Sequence, residues 1–440
     1  MRGNKEKLNL KIRNFNLYTN CTIKKIKKTK TIEVEKMKKL AAVIIFLFSV
    51  IIANAEKIGF KEAVEMAQNS SSSLAVKQKE MEKSSLTVEK SMAEFYPLLK
   101  ATASVAKAEG ISSAEGASIS LGYNIFNGWN TKNSAAKAEI ENKKAEIEIE
   151  REKNSIKLKI AKLYSEILKN KKSIESYKNS LEILKKEYEK EQLLFKNSLS
   201  SRYELVQFEY EMATVEKNLK NSELEYKKGL KNLKKELGID EKNEIEIEEV
   251  SFDVIKRALE SDFDSYLKNS LYSKEKKLNL KSAKSSVAIS KSNYYPQVDL
   301  QASYSSGNGL NEDWNYRTTL TVSYDVFDFG KRKAGVNGAE KDYEIAELNY
   351  INSEKEKKQE ISDKLDELEN TAEIMEIQKK KIEIAAERYN IGKVKYENRY
   401  MSVEDFLTIE EEYRNEEREF YKMGMELFYK QQEYLYMIEN

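Results

Sequence analysis

Carboxylates are nearly all that this sequence offers for side-chain chemistry. Histidine is absent, and the one cysteine, Cys21, lies in the N-terminal segment. Downstream of it there are neither the nitrogen and thiolate ligands of transition-metal sites nor the Cys/His pairs of nucleophilic catalysis. The 74 Asp and Glu residues could do acid–base work in pairs, but they are spread along helical stretches, where such residues form a solvated face. Gly330-Lys331-Arg332 lacks the glycine-rich loop that a phosphate site needs before it. The sequence therefore predicts no catalytic, cofactor-binding or metal-binding residue, and no enzyme.

Those carboxylates must be carried by long helices. Two prolines and fifteen glycines in 440 residues, with 34% charged side chains, leave little material for turns. Residues 1–55 hold thirteen Lys and Arg against three Asp and Glu, so the rest of the chain has 63 basic and 71 acidic residues. That balance gives no nucleic-acid footprint. Met37-Lys38-Lys39, a largely apolar run at 40–52 and Ala53-Asn54-Ala55 have the three parts of a secretory signal. The run is shorter than the ~20 residues of a spanning helix. We expect a signal peptide at 37–55 cleaved after Ala55, with 1–36 either an early start or a long leader; an uncleaved anchor is the alternative. The mature chain would then have no disulfide and no lipid-bearing cysteine.

The only prolines, Pro97 and Pro296, each follow a tyrosine, Tyr96 and Tyr295, where a helical pattern gives way to alternation. Past Pro97, Leu99, Ala101, Ala103 and Val105 alternate with Lys100, Thr102 and Ser104. After a loop at 110–116, Ile119, Leu121, Tyr123 and Ile125 alternate with Ser118, Ser120, Gly122 and Asn124. Past Pro296 the same pair returns, first as Val298, Leu300, Ala302 and Tyr304, then as an alternating stretch over 314–326. Helices are predicted over 60–95, with a break near Ser70, and over 129–197, 201–237, 252–294, 331–399 and 402–440. From Ile156 to Phe195, twelve positions spaced alternately by four and three mark a coiled-coil seam; ten are apolar, and Asn170 and Glu191 are not.

Residues 123–127 recur as 324–328, and Tyr188, Phe195, Ser201, Glu204 and Leu205 recur as Tyr389, Tyr396, Ser402, Asp405 and Phe406, always 201 residues on. The chain is thus read as a repeat at 56–240, a linker at 241–250 with one short strand, and a second repeat at 251–440. Each repeat is helix, two strands, long helix, helix. The first helix is one heptad longer in the second copy.

An alternating strand can cover a core, or can face lipid on one side and water on the other. The secretory signal favours the second case, as do aromatics at the strand ends: Tyr96, Phe126, Trp129, Tyr295, Trp314, Phe327 and Phe329. Four strands cannot close a barrel, because the smallest membrane barrels have ~8, and lipid does not tolerate open sheet edges. Several chains must then share one barrel.

Phe-Tyr-Pro-Leu-Leu at 95–99, Tyr-Tyr-Pro-Gln-Val at 294–298, Val-Phe-Asp-Phe-Gly-Lys-Arg-Lys-Ala-Gly at 326–335 and the turn pattern at 195–205 occur in an order and spacing that resemble the TolC family of outer-membrane efflux proteins. The resemblance covers essentially the whole mature chain. It implies a mostly α fold with a small β part. The implied protomer is a duplicated helical barrel of coiled coils, whose four transmembrane β-strands would join a trimeric 12-stranded barrel. It places a homotrimer in the outer membrane of a Gram-negative-type bacterium, in contact with outer-membrane lipid and extending into the periplasm. The implied function is a passive exit duct of a tripartite efflux or type I secretion system. A periplasmic adaptor (membrane fusion) protein would open its tip, and an inner-membrane pump of the RND, ABC or MFS type would feed it. No cofactor or nucleic acid is implied.

The same resemblance puts the turns near 195–204 and 396–405 at the closed periplasmic tip. Asp405 takes the place of an acidic ring at the constriction, and Thr408 stands where the family has a second aspartate. Tyr396 and Glu204 fall where a tyrosine of the second repeat bonds an acid of the first. The family's partnering arginine is Met401 here, with Arg399 nearby in place of the turn glycine. A secreted or surface coiled-coil structural protein or adhesin is the alternative reading. It fits the heptads but leaves the duplicated strand pairs unexplained.

Overall fold

The computed structural model describes residues 56–106, 114–251, 269–306 and 314–440. The expected leader at 1–36 and signal at 37–55, most of the loop at 110–116, and the start of the helix at 252–294 lie outside the described residues.

Glu56–Ile58 (β1) and Ile245–Ile247 (β4) form a small two-stranded sheet. Phe60–Ser70 (α1) and Ser72–Ala93 (α2) are separated by Ser71, whose extended backbone and side chain cap α2 by accepting from the Leu74 amide. Leu98–Ala106 (β2) and Ala114–Asn127 (β3) follow, then Asn130–Lys196 (α3) and Arg202–Leu237 (α4). The second half repeats the series with Leu271–Ser292 (α5), Gln297–Ser306 (β5), Trp314–Ser323 (β6), Lys331–Glu397 (α6) and Val403–Glu439 (α7). Each proline sits between a closing helical turn and the first residue of a strand, as its locked φ and missing amide require. Both long helices are 67 residues, or about 100 Å at ~1.5 Å per residue. Among the described residues, no helix is long and apolar enough to cross a membrane.

α3 is the hub, since α2, α4, α5 and α7 all pack on it. Its seam positions Ile156, Ile160, Ile167 and Leu184 are buried, as the heptads predict, whereas Phe195 at the end of the seam is exposed. Tyr164, one turn from Ile160, donates to the Ile58 carbonyl at 2.7 Å, and burial pushes its phenol up to about 12. The left-handed Gly238 closes α4 beside Ser70, whose hydroxyl donates to the Glu236 carbonyl at 2.7 Å.

β2, β3, β5 and β6 form one antiparallel sheet in that order. Because side chains alternate, the register divides the sheet into two faces. Leu99, Leu121, Ala302 and Thr318 make up one cross-strand row, and Ala101, Ile119, Tyr304 and Tyr316 the next, so this face is apolar. The opposite face carries Thr102, Ser118, Ser305 and Asn315 in one of its rows. The alternation expected through Ile125 is broken by a bulge between Asn124 and Phe126, which puts Phe126 opposite Val298. The last strand stops at Ser323, earlier than the pattern over 314–326 predicts. Its partner β5 begins at Gln297, directly opposite, and among the described residues no strand pairs with the outer edge of β6.

Candidate gate at the helix turns

The two long helices end in the same way. Ser198 and Arg399 have φ of 60° and 61°. In the first turn, the Ser198 and Leu199 amides donate to the Phe195 and Leu194 carbonyls at 2.9 and 2.8 Å. In the second, Arg399 and Tyr400 donate to Tyr396 and Lys395 at the same distances. These are paired left-handed helix stops, which glycine normally occupies. Replacing Ser198 with glycine is therefore expected to raise stability by about 0.5–1 kcal/mol, read as a higher melting temperature.

The returning helices also start alike. Ser201 caps α4 by accepting from the Glu204 amide, and the Glu204 carboxylate accepts from the Ser201 amide at 2.7 Å and from the Ser200 hydroxyl at 2.7 Å. Ser402 accepts from the Asp405 amide at 3.1 Å and donates its hydroxyl to the Asp405 carboxylate at 2.6 Å. Asp405 is exposed. The Ser201 amide, together with the Ser200 hydroxyl, holds the Glu204 carboxyl below its ordinary value. A lowered folded value stabilises the cap above the unfolded value, and that stability is lost as pH falls through the folded one. Amide exchange in the first turn of α4 should thus accelerate below about pH 4, where free carboxylates titrate. Glu204→Gln should abolish that pH dependence.

The pairing of Tyr396 with Glu204 expected from the sequence is not what the structure holds. The Tyr396 hydroxyl donates to Glu191 at 3.0 Å, and Arg399 Nη1 donates to the other oxygen of the same carboxylate at 3.3 Å. Glu191 is 0% exposed and lies one helical turn before the end of α3. Glu204 is instead committed to its own cap. Burial and the Glu191 carboxylate hold the Tyr396 phenol far above its ordinary value, so it is a donor at every physiological pH. The Tyr396 ring stacks on Phe406 at 4.4 Å within a buried cluster that also includes Leu184, Phe208, Tyr389 and Val403, with Met401 packed against its edge. Further from the turn, Glu410 is buried on α7, accepts from Ser180 of α3 at 3.2 Å and pairs with Arg414 at 3.3 Å. Burial pushes its carboxyl up against the pull of Arg414. Glu191 was visible in the sequence only as the one carboxylate in a seam that is apolar at ten of its twelve positions. Such a charge implies a buried partner on another helix.

At the strand ends, Phe126, Trp129 and Tyr295 meet edge to face, with ring centroids 5.1 to 6.4 Å apart. Trp314 stacks on Tyr304, and Phe327 meets Phe329. Tyr96 stands exposed beside Pro97.

Residues 264–399 match the outer membrane efflux protein family. No curated protein matches the sequence. The fold is similar to that of solved outer-membrane channels. It is similar to the outer membrane protein VceC of Vibrio cholerae, at 17% identity over 87% of this chain and 96% of that one, with a TM-score of 0.74. CusC, described in connection with transmembrane channel formation, matches at 13% identity over 88% and 95%, with a TM-score of 0.77. The Campylobacter jejuni CmeC outer membrane channel matches at 16% identity over 86% and 85%, with a TM-score of 0.74. The expected fold class, mostly helical with a small sheet, is the one observed.

Proposed function

We propose that this protein is an outer-membrane exit duct in which three copies each contribute four strands to one barrel and their long helices to a conduit through the periplasm. The observation that carries this reading is the sheet: one face apolar, the other polar, and both edge strands, β2 and β6, without a further strand partner among the described residues. In lipid such edges must be paired, and copies of the chain placed edge to edge would pair them. Cargo comes from an inner-membrane pump, and a periplasmic adaptor opens the tip. The duct itself is passive and closes at the helix turns, where Glu191, Tyr396 and Arg399 hold the two hairpins together and Asp405 faces the axis. Three carboxylates around a narrow axis would attract cations and repel anions, so Asp405→Asn should weaken block by multivalent cations added from the tip side. The test of the duct is the membrane fraction and native mass of the full chain in mild detergent. A trimer recovered from the outer membrane supports it, and a soluble or released monomer overturns it.

A further inference from the structure

Two cations interrupt the hydroxyl and amide side chains of the sheet's polar face, and they share one cross-strand row. Lys100 lies opposite Ser120, Ser120 opposite Ser303, and Ser303 opposite Arg317. The row therefore runs from edge strand to edge strand with a cation at each end. Both side chains are exposed. The carboxylate of this face, Asp299, lies four residues from Ser303 along β5, about 14 Å at ~3.4 Å per residue. It accepts from Asn124 Nδ2 at 2.8 Å. That separation exceeds the ~8 Å Debye length at physiological salt, so Asp299 does not cancel the two cations.

We propose that Lys100 and Arg317 form a cationic band inside the outer section of the pore that binds multivalent anions, so that anionic cargo is favoured over cationic cargo at the exit. This inference rests on the duct reading, in which the polar face lines the lumen. Three strand spacings of ~4.8 Å put the two Cα atoms about 14 Å apart along the row. Strands tilted by ~40° in a membrane barrel carry such a row about 9 Å along the pore axis. Three copies would then present a tier of three lysines and a tier of three arginines, six cations against three copies of Asp299. The spacing suits an extended polyanion, which the arginine forks can grip bidentately while the lysines act as point charges.

The test uses the full-length wild-type protein in planar bilayers with tripolyphosphate added on the barrel side. Voltage-dependent block of the wild-type pore is expected, and K100Q/R317Q should raise the half-blocking concentration by about tenfold or more, as removal of a pore's charged ring does. The charge-preserving K100R/R317K should block within about twofold of wild type. If the double neutral variant does not assemble, K100Q and R317Q singly should each shift block about threefold. Equal block of wild type and neutral variants, or no block of a conducting wild-type pore, would overturn the band and leave the duct standing. Absence of any conducting pore would overturn the duct, and the band with it.

Discussion

Replacement of Glu191 with alanine is expected to loosen both helix turns at once. The carboxylate is fully buried and accepts the hydrogen bond of the Tyr396 hydroxyl, and it also pairs with Arg399. Arg399 is 41% exposed on its side chain and can rehydrate. Tyr396, 6% exposed, cannot. A stranded buried hydroxyl and the vacated volume together cost about 2–4 kcal/mol. Amides around residues 391–405 should therefore exchange at least ~30-fold faster, the factor for ~2 kcal/mol. Glu191→Gln keeps the shape and one acceptor and should cost about half as much. Single-channel recording separates packing from gating. Raised conductance in Glu191→Ala is the expected result, and faster exchange with unchanged conductance would remove this contact from the gate.

The second large effect lies at the other end of the long helices. Two consecutive residues adopt positive φ between strand and helix in each half: Gly128 and Trp129 in the first, Phe329 and Gly330 in the second. The two glycines are not equivalent in their surroundings. A Cβ on Gly128 would overlap the Ser292 carbonyl oxygen and stand 2.9 Å from the Tyr295 Cβ, whereas a Cβ on Gly330 would meet nothing within 4 Å. Gly330→Ala should cost only the left-handed penalty, about 1 kcal/mol. Gly128→Ala must also push α5 away from the start of α3. Its expected cost is about 3 kcal/mol or more, seen as loss of folded protein while Gly330→Ala folds normally.

Much of this was legible in the residues. Proline followed by alternation located the strands, and heptads bounded by Gly128 and the turn at 197–201 placed α3 within one residue at each end. These signals are local and physically obligatory. The bulge was not legible, because Ile125 and Phe126 are both apolar and alternation cannot say which is the extra residue. Nor was the partner of Tyr396. Two acids of the first half, Glu191 and Glu204, lie near the turn, and only the cap bonds made by Glu204 show that its carboxylate is already used.

The equal lengths of α3 and α6 make the pair a ruler. Adding seven residues to one of them, and seven to the helix that returns from it, would keep every seam in phase but carry that hairpin about 10 Å past the other at ~1.5 Å per residue. Tyr396 and Glu191 would then no longer meet. Reach can be altered only in matched heptads inserted in all four helices, so the distance this protein spans is a single dimension written twice in its sequence.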